Sequence, residues 1–335
     1  MWGIDVGGAN LKVAAASGAC AARPFALWRD PGGLAGALRE LLDELPPAEK
    51  AAVTMTGELA DCFATKQEGV HAILDAVAAA LAGREFRVYL TDGRLAKPAE
   101  ARSQPLLAAA SNWHATATLA ARRHVPTGCG LLVEIGSTTA DLIPLAGGEV
   151  ASSGRTDTER LLAGELVYTG VDRTPLFALL PSCRLRGRRC GTAPEWFATA
   201  ADAYLLLGEM APEPENCQTA DGRPRTLENA HGRVARLVCG DRTLITLDEV
   251  RDIAREFREA QLELLAGSVA AALTRWPGVP ATIVAGGQGE FLARTVAERL
   301  GLADRVIALS EVWGKAASRG APAYALAALA AESVW

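Results

Sequence analysis

Two glycine turns flanked by carboxylates contain the residue types best suited to chemistry in this 335-residue chain. They lie at residues 4–12 and 133–141. Each segment is typical of a strand, a tight turn and a second strand, and glycine lets the backbone approach an anion without a Cβ in the way. Backbone N–H groups and small polar side chains at such turns donate to phosphate oxygens, and nearby carboxylates can hold a divalent cation. The pair predicts a site that binds phosphate groups from two sides.

Three sets of residues are candidates to hold the phosphate groups and their cation. The carboxylates on the metal side are Asp5, Glu134 and Asp141. The residues predicted to bind phosphate are Gly7, Gly8, Asn10 and Lys12 in the first segment, and Gly136, Ser137, Thr138 and Thr139 in the second. A strand, a glycine turn and a helix start are also predicted at 282–292, which makes a possible anion or nucleotide shelf of Gly286, Gly287 and Gln288.

Charged residues outside the turns suggest how a leaving phosphate and a proton could be handled. The cations that could neutralise phosphate charge are Lys12, Lys66, Arg155, Arg160 and Arg173. The candidates for a catalytic role are the carboxylates Asp5, Glu58 and Asp157, as proton acceptors, together with Lys66. Two plainer interpretations stay open. Residues 155–160 could be a solvated charge run, and residues 58–66 could be a loop and a helix start capped by Asp61.

The order and spacing of these segments resemble the superfamily of actin-like ATPases, sugar kinases and heat-shock 70 chaperones. By this resemblance, residues 4–14 correspond to phosphate loop one, residues 133–143 to phosphate loop two and residues 283–292 to the adenosine-type motif. Residues 154–168 and 172–175 resemble the hydantoinase/oxoprolinase branch. The segments most similar to the tetrahydromethanopterin-linked one-carbon pathway proteins, which include a synthase of methanofuran biosynthesis, are 5–12, 56–66, 110–113 and 197–204.

The resemblance implies an α/β protein with the two-domain actin-like (ribonuclease H-like) fold, duplicated mixed sheets and a central cleft. We expect residues 1–127 to form the first domain, with phosphate loop one, and residues 128–315 to form the second, with phosphate loop two and the adenosine-type motif. Residues 316–335 are expected to form a C-terminal helix that packs back on the first domain. Mg²⁺ is the expected cofactor, and ATP is possible but not favoured.

The resemblance also implies a reaction. We expect a transferase that couples an aminomethylfuran-methyl diphosphate to the phenol of γ-glutamyltyramine or tyramine and releases diphosphate, in support of tetrahydromethanopterin-linked one-carbon metabolism. The first alternative is an ATP-dependent kinase or a hydantoinase/oxoprolinase-type hydrolase. The second alternative is a non-enzymatic actin-like scaffold, which would leave the charged residues at 155–160 without an obvious task.

Composition and charge agree with a soluble globular enzyme. Half of the chain is hydrophobic, the net charge is −5 and the pI is about 5.6, so no basic surplus indicates nucleic-acid binding. No apolar stretch has the length of a membrane span, and a strand pattern begins at once where a signal peptide would lie. We expect small-molecule substrates, no nucleic-acid or membrane partner and a cytoplasmic location, and the oligomeric state stays open.

The seven cysteines are odd in number and contain no CxxC pair, which argues against a disulfide framework. Four of them and one histidine fall in one region and could meet as a zinc site; they are Cys183, Cys190, Cys217, His231 and Cys239. Their spacing matches no standard zinc pattern, so free thiols are the favoured interpretation.

Periodicity and turn residues predict the elements that must position these groups. After the first hairpin, a third strand is predicted at 25–28. The helices are predicted at 33–45, 70–82, 104–123, 194–207, 247–276, 291–300 and 321–333. The further strands are predicted at 51–56 and 85–91, and a second hairpin at 130–145 continues through a Gly-Gly turn into 149–153. Residues 212–225 are predicted to be a surface loop.

Overall fold

The structure is a computed structural model that describes residues 1–274 and 280–333. In its N-terminal part the strands are β1 Trp2–Val6, β2 Asn10–Ala15, β3 Cys20–Pro24, β4 Lys50–Met55, β5 Glu85–Tyr89 and β6 Leu95–Ala96. The helices of this part are α1 Leu34–Leu42, α2 Lys66–Leu81, α3 Pro98–Ser103, α4 Pro105–Ala108 and α5 Asn112–His124.

The C-terminal part repeats the pattern with longer insertions. Its strands are β7 Cys129–Ile135, β8 Ala140–Ala146, β9 Glu149–Val150, β10 Leu166–Val167, β11 Ser182–Leu185, β12 Arg188–Gly191, β13 Thr282–Gly286 and β14 Val306–Ala308. Its helices are α6 Asp157–Ala163, α7 Leu176–Leu179, α8 Ala200–Leu206, α9 Leu227–Arg236, α10 Leu247–Leu273, α11 Glu290–Arg299, α12 Leu309–Val312, α13 Lys315–Arg319 and α14 Ala321–Glu332.

The two main sheets are open, mixed and built alike. The first has the order β3-β2-β1-β4-β5-β6 and the second β10-β8-β7-β13-β14. In each sheet an antiparallel hairpin, β1-β2 or β7-β8, continues through a parallel neighbour, β4 or β13. The two predicted phosphate-binding turns therefore lie at equivalent places, each at the tip of its hairpin.

Two helices pack between the sheets. Buried side chains of α5 contact the second sheet through Trp113 and Ala117 and the first sheet through Ala115 and Leu119. Helix α14 packs on β1, β2, β4 and α5. Its fit is close, because a Cβ on Gly3 of β1 would lie 2.0 Å from the carbonyl oxygen of Ala323.

The structure corrects three of the predicted elements. The third strand is Cys20–Pro24 and not 25–28, because the β2-β3 register pairs Asn10 with Pro24 and the next residues turn back to phosphate loop one. The predicted helix at 104–123 is interrupted between α4 and α5, where Ala110 adopts a left-handed φ of 48°. The predicted helix at 194–207 begins only at Ala200, where a capping box opens α8.

Several other predictions are confirmed to within a few residues. Both hairpins, the β4 and β5 strands and the helices α1, α2, α11 and α14 have their predicted type and place. The helix predicted at 247–276 is α10, and its predicted end at Trp276 lies outside the described residues. The loop at 212–225 is confirmed as irregular, although its two ends are joined by an isolated bridge between Glu213 and Arg225.

The close contact at Gly3 generates a stability prediction. A Gly3→Ala variant should be destabilised by about 1–3 kcal/mol, because the added methyl group meets the backbone of a helix that is held on two sides. Gly36→Ala is the matched control: nothing lies within 4 Å of its added Cβ, and alanine favours the interior of α1 by about 0.5–1 kcal/mol. Urea unfolding of both variants gives the comparison, and an equally stable Gly3→Ala protein would contradict the packing described.

Candidate active site

The two predicted phosphate loops face each other in the structure. In phosphate loop one the N–H of Gly7 donates to the carbonyl of Asn10 at 3.1 Å, and in phosphate loop two the N–H of Gly136 donates to the carbonyl of Thr139 at 2.8 Å. The side-chain amide of Asn10 lies 3.5 Å from the hydroxyl of Ser137. We call the space between these two turns the cleft.

Phosphate loop two is fixed from behind by a segment that includes the predicted cation Arg173. We call residues 169–174 the brace loop. The N–H of Val171 donates to the carbonyl of Gly136, and the N–H groups of Asp172 and Arg173 both donate to the carbonyl of Ser137. A Cβ on Gly170 would lie 2.5 Å from the Ser137 backbone, so this position requires glycine.

Buried side chains in turn hold the brace loop. The amide of Gln261 in α10 donates to the Thr169 hydroxyl at 2.8 Å and to the Gly170 carbonyl at 2.9 Å, and its oxygen accepts from the Tyr204 hydroxyl. Sequence reasoning missed Gln261, since one glutamine in a long amphipathic helix carries no local signal. The only available signal was its place on the apolar face of α10, between Phe257 and Leu265.

The predicted shelf at the end of β13 borders phosphate loop two. Gly286 pairs with Glu134 in parallel register. Gly287 has a φ of 86°, and a Cβ there would lie 2.4 Å from the carbonyl oxygen of Ile135. Gly289 donates its N–H to the same oxygen at 2.8 Å. The two glycine positions thus bring this turn against the end of β7.

Carboxylates from both hairpins line the cleft. Asp5 and Lys12 are opposite each other on β1 and β2, with 3.5 Å between Nζ and Oδ2. Glu134 and Asp141 are opposite each other on β7 and β8. Burial raises the pKa of Asp5 while Lys12 lowers it. Burial and the charge of Asp141 raise the pKa of Glu134 to about 8, against the effect of Lys12. Lys12 therefore acts on carboxylates from both sheets.

Two of these carboxylates could hold a cation. Asp5 Oδ1 and Glu134 Oε2 are buried and find no hydrogen-bond partner within the described part of the chain, whereas Asp141 bonds to Arg160. Unpartnered carboxylate oxygens suit Mg²⁺, which usually binds one or two carboxylates and completes its shell with water and phosphate oxygens. Within residues 1–274 and 280–333, no group of three or more His, Cys, Asp or Glu side chains is placed to hold a metal.

Helix α6 places a buried cation beside the cleft. Arg160 bonds to Asp141 and, at 3.2 Å, to Asp157, and its guanidinium lies 4.2 Å from the centre of the Trp113 ring. The burial of Asp141 raises the pKa of its carboxyl, which Arg160 opposes. Arg160 thus connects the second sheet with α5.

The charged run at 155–160 is split between surface and cleft. Thr156 and Glu159 form the capping box of α6, and the N–H of exposed Arg155 also donates to Glu159. Asp157 and Arg160 point the other way, into the ion pairs of the cleft. The solvated-run interpretation therefore describes the capping residues and Arg155 but not Arg160.

Glu58 is a further buried carboxylate, next to Lys66. It is 1% exposed, its Oε1 lies 3.9 Å from Lys66 Nζ, and its Oε2 has no partner among the described residues. Burial raises the pKa of Glu58 to about 7, and the charge of Asp157 adds to this while Lys66 and the backbone N–H of Ala110 oppose it. The left-handed conformation of Ala110 belongs to the segment that holds this N–H against Glu58.

Arg173 lies on the outer side of the cleft. It is exposed, and its guanidinium lies 4.7 Å from the centre of the Trp28 ring. Trp28 belongs to the segment that turns back to phosphate loop one. The neighbouring Asp172 pairs with Arg225 at 2.7 Å. This stacking contact joins the surroundings of the two phosphate loops, and the sequence gives no signal for the Trp28 partner.

Two further predicted residues, Thr138 and Gln288, lie on the turns of the site. Thr138 lies 3.4 Å from Ser137 between the hydroxyl oxygens, and Gln288 is half-buried on the third turn. In the cysteine-rich region, Cys217 and Cys239 are exposed, while His231 Nε2 lies 2.7 Å from the carbonyl of Ile245.

Comparisons with known proteins identify the family of this chain. The model of the hydantoinase/oxoprolinase family matches residues 49–333. The chain belongs to the hydantoinase/oxoprolinase family. A family relative from Methanocaldococcus jannaschii is 34% identical over 332 residues, which cover 98% of this chain and 96% of the relative. Another, from Methanococcus vannielii, is 31% identical over 201 residues, which cover 59% of this chain and 89% of the relative.

Both relatives of this hydantoinase/oxoprolinase family member carry the name (4-{4-[2-(gamma-L-glutamylamino)ethyl]phenoxymethyl}furan-2-yl)methanamine synthase. Among solved structures, nucleotide-free acetone carboxylase matches 88% of this chain and 48% of its own chain, at 14% identity and a TM-score of 0.54. This match and the two mixed sheets that are built alike confirm the predicted actin-like fold class. In the described ranges, no helix combines the length and apolarity needed to cross a membrane.

The buried ion pair of Arg160 leads to a second stability prediction. Arg160→Met should cost about 3–5 kcal/mol of stability, because it leaves the Asp141 carboxylate buried without its cation. Arg251→Met, which removes an exposed pair with Asp248, is the matched control and should change stability by less than about 0.5 kcal/mol. Urea unfolding measures both, and adding Asp141→Asn to Arg160→Met should recover part of the loss. Equal losses in the two single variants would contradict the buried-pair assignment.

Proposed function

We propose that this protein is a transferase of methanofuran biosynthesis. It joins an aminomethylfuran-methyl diphosphate to the phenol of γ-glutamyltyramine or tyramine, and releases diphosphate. The observation that carries the proposal is the 34% identity with the M. jannaschii relative over 98% of this chain. The relative's name contains a phenoxymethyl group on a furan, which is an ether between a phenol oxygen and a furan-bound methylene.

The proposed reaction breaks one carbon–oxygen bond and forms another. The bond between the methylene and diphosphate breaks, its electron pair leaves with diphosphate, and the furan ring oxygen stabilises the positive charge that develops on the methylene. The phenol oxygen then bonds to this carbon and loses its proton. The protein must therefore hold the diphosphate and accept one proton.

The cleft supports the first of these tasks. The backbone N–H groups and hydroxyls of the two facing phosphate loops suit the oxygens of a diphosphate, and Lys12 and Arg173 supply positive charge at its two sides. Asp5 and Glu134 would hold Mg²⁺ through their unpartnered oxygens. When bound, the ion supplies further neutralisation of the charge on the leaving group.

Glu58 supports the second task better than the other candidates. Asp5 is assigned to Mg²⁺ and Asp157 is paired with Arg160 at 3.2 Å, whereas Glu58 lies 3.9 Å from Lys66 and keeps one buried oxygen without a partner among the described residues. A carboxylate with a pKa near 7 is well placed to accept a proton at neutral pH. Since a phenol has a reference pKa of about 10, the proton transfers as the ether bond forms. Lys66 beside Glu58 can stabilise the phenolate that develops.

The proposal predicts product formation without ATP. The purified protein with Mg²⁺, the furan diphosphate and γ-glutamyltyramine or tyramine should release diphosphate and form the ether, both followed by mass spectrometry. A protein that forms no ether under these conditions but hydrolyses ATP in a parallel sample would contradict the transferase and favour an ATP-dependent kinase or hydrolase.

The assignment of the base predicts a change in rate and in pH dependence. Glu58→Gln should lower kcat by about 10²–10⁴-fold, because the amide cannot accept the phenol proton. In the unmodified protein kcat should rise with pH through about 7, as Glu58 loses its proton, and this rise should be absent from the variant. Exposed Glu298→Gln on α11 is the control and should leave rate and pH profile unchanged. If Glu58→Gln keeps the rate and the pH profile, the base lies elsewhere.

A further inference from the structure

A cavity of about 490 Å³ lies between the start of α2 and α4 and has Lys66, the ion-pair partner of Glu58, in its lining. One wall is Pro105, Leu106 and Leu107 from α4, and the other is the start of α2, with Thr65, Lys66 and Gln67. The volume falls within the ~300–1,000 Å³ typical of small-molecule sites. Its lining combines apolar side chains with a few polar groups and one cation, which is the composition expected of a site for an amphiphilic organic molecule.

Two connections tie this cavity to the proposed base. Lys66 lines the cavity and also lies 3.9 Å from Glu58. The α4 segment that forms the apolar wall continues directly to Ala110, whose backbone N–H acts on the Glu58 carboxylate. Ala110 keeps a left-handed φ of 48°, a conformation that is unfavourable for alanine and persists where the surroundings impose it. The wall of the cavity and the environment of Glu58 are thus parts of one constrained segment.

The charges indicate which of the two substrates fits here. Among the described residues that line the cavity, Lys66 is the one cation, too little positive charge for a diphosphate. The cations suited to that group, Lys12 and Arg173, lie beside the phosphate loops. An aromatic ring instead matches the apolar wall, and Leu106 offers it a side chain that is 59% exposed. A phenol oxygen placed at Lys66 would lie close to Glu58, whose Oε1 is 3.9 Å from the Lys66 ammonium group.

We propose that this cavity is the acceptor site, where the ring of the phenol-bearing substrate packs on Pro105, Leu106 and Leu107. The phenol oxygen then lies at Lys66 and Glu58, and the polar tail extends towards the cavity rim. This inference rests on the proposed function, because it assigns the second substrate of that reaction. It names a binding site for a phenol with an aliphatic amine or amide tail, separate from the diphosphate site.

Binding measured without turnover tests the acceptor site. Isothermal titration of the full-length protein with γ-glutamyltyramine, in the presence of Mg²⁺ and inorganic diphosphate in place of the donor, gives Kd directly. Leu106→Ser should raise Kd roughly fivefold or more, because the ring loses apolar contact, and should raise KM for the phenol without changing KM for the furan diphosphate. Leu244→Ser is the matched control, since Leu244 is 62% exposed in a loop before α10 and should leave both constants unchanged.

The outcomes separate this inference from the proposed function. An unchanged Kd in Leu106→Ser, or no binding of the phenol to the unmodified protein, overturns the acceptor site. Ether formed by an enzyme whose phenol Kd is insensitive to Leu106 leaves the transferase in place and refutes only the cavity. Binding that depends on Leu106 without any ether formation supports the cavity and refutes the reaction. Because both substituted leucines are exposed, the variants are expected to fold, and their urea unfolding midpoints check this.

Discussion

The burial of more carboxylates than cations is the constraint on which the cleft depends. The acidic side chains of the group are Asp5, Glu58, Glu134, Asp141 and Asp157, and the basic ones are Lys12, Lys66 and Arg160. Burying a charge is costly unless it is paired, and like charges opposite each other on neighbouring strands repel. The pKa values of Glu58 and Glu134 rise for this reason. The cleft is therefore poised either to retain protons or to accept a cation. A diphosphate accompanied by Mg²⁺ would supply that cation together with acceptors for the backbone N–H groups.

The two sheets influence each other through the helices between them. Helix α5 places Trp113 under the guanidinium of Arg160, and Arg160 holds Asp141 on the second hairpin. Helix α14 packs on the first sheet at a distance that glycine at position 3 permits, and it also contacts α5. A change in the separation of the sheets would have to break the Trp113 contact or move α5 along with α6. The buried ion pair between Arg160 and Asp141 therefore also links the second sheet to α5 through the contact of Arg160 with Trp113.

Local patterns sufficed to predict the parts of this site that are built from consecutive residues. The two hairpins could be recognised because β-branched runs and glycine turns determine them within about ten residues. The break at Ala110 could not, since alanine is the strongest helix former and the left-handed residue contacts Glu58, which is distant in the chain. Gln261 and Trp28 likewise act on residues far away in the chain. The strand at Cys20–Pro24 was misplaced because its position follows the register of β2 and not its own composition.

In the cleft, the phosphate loops and the surfaces on either side of them have different roles, and this separation would allow one fold to serve different reactions. Under the proposed function, the phosphate loops would recognise a group that a nucleotide and a furan diphosphate have in common, so they would not by themselves decide the substrate. Selectivity must come from the surfaces on either side. A nucleoside would need the turn at Gly286 and Gly287, which lies against the end of β7, whereas a phenol would need the cavity between α2 and α4. Under the proposed function, the proton transfer takes place at Glu58. The glycine turn at β13 then has a structural role, because it supports phosphate loop two through Ile135. On this view, the surface that carries the base determines what the bound diphosphate reacts with.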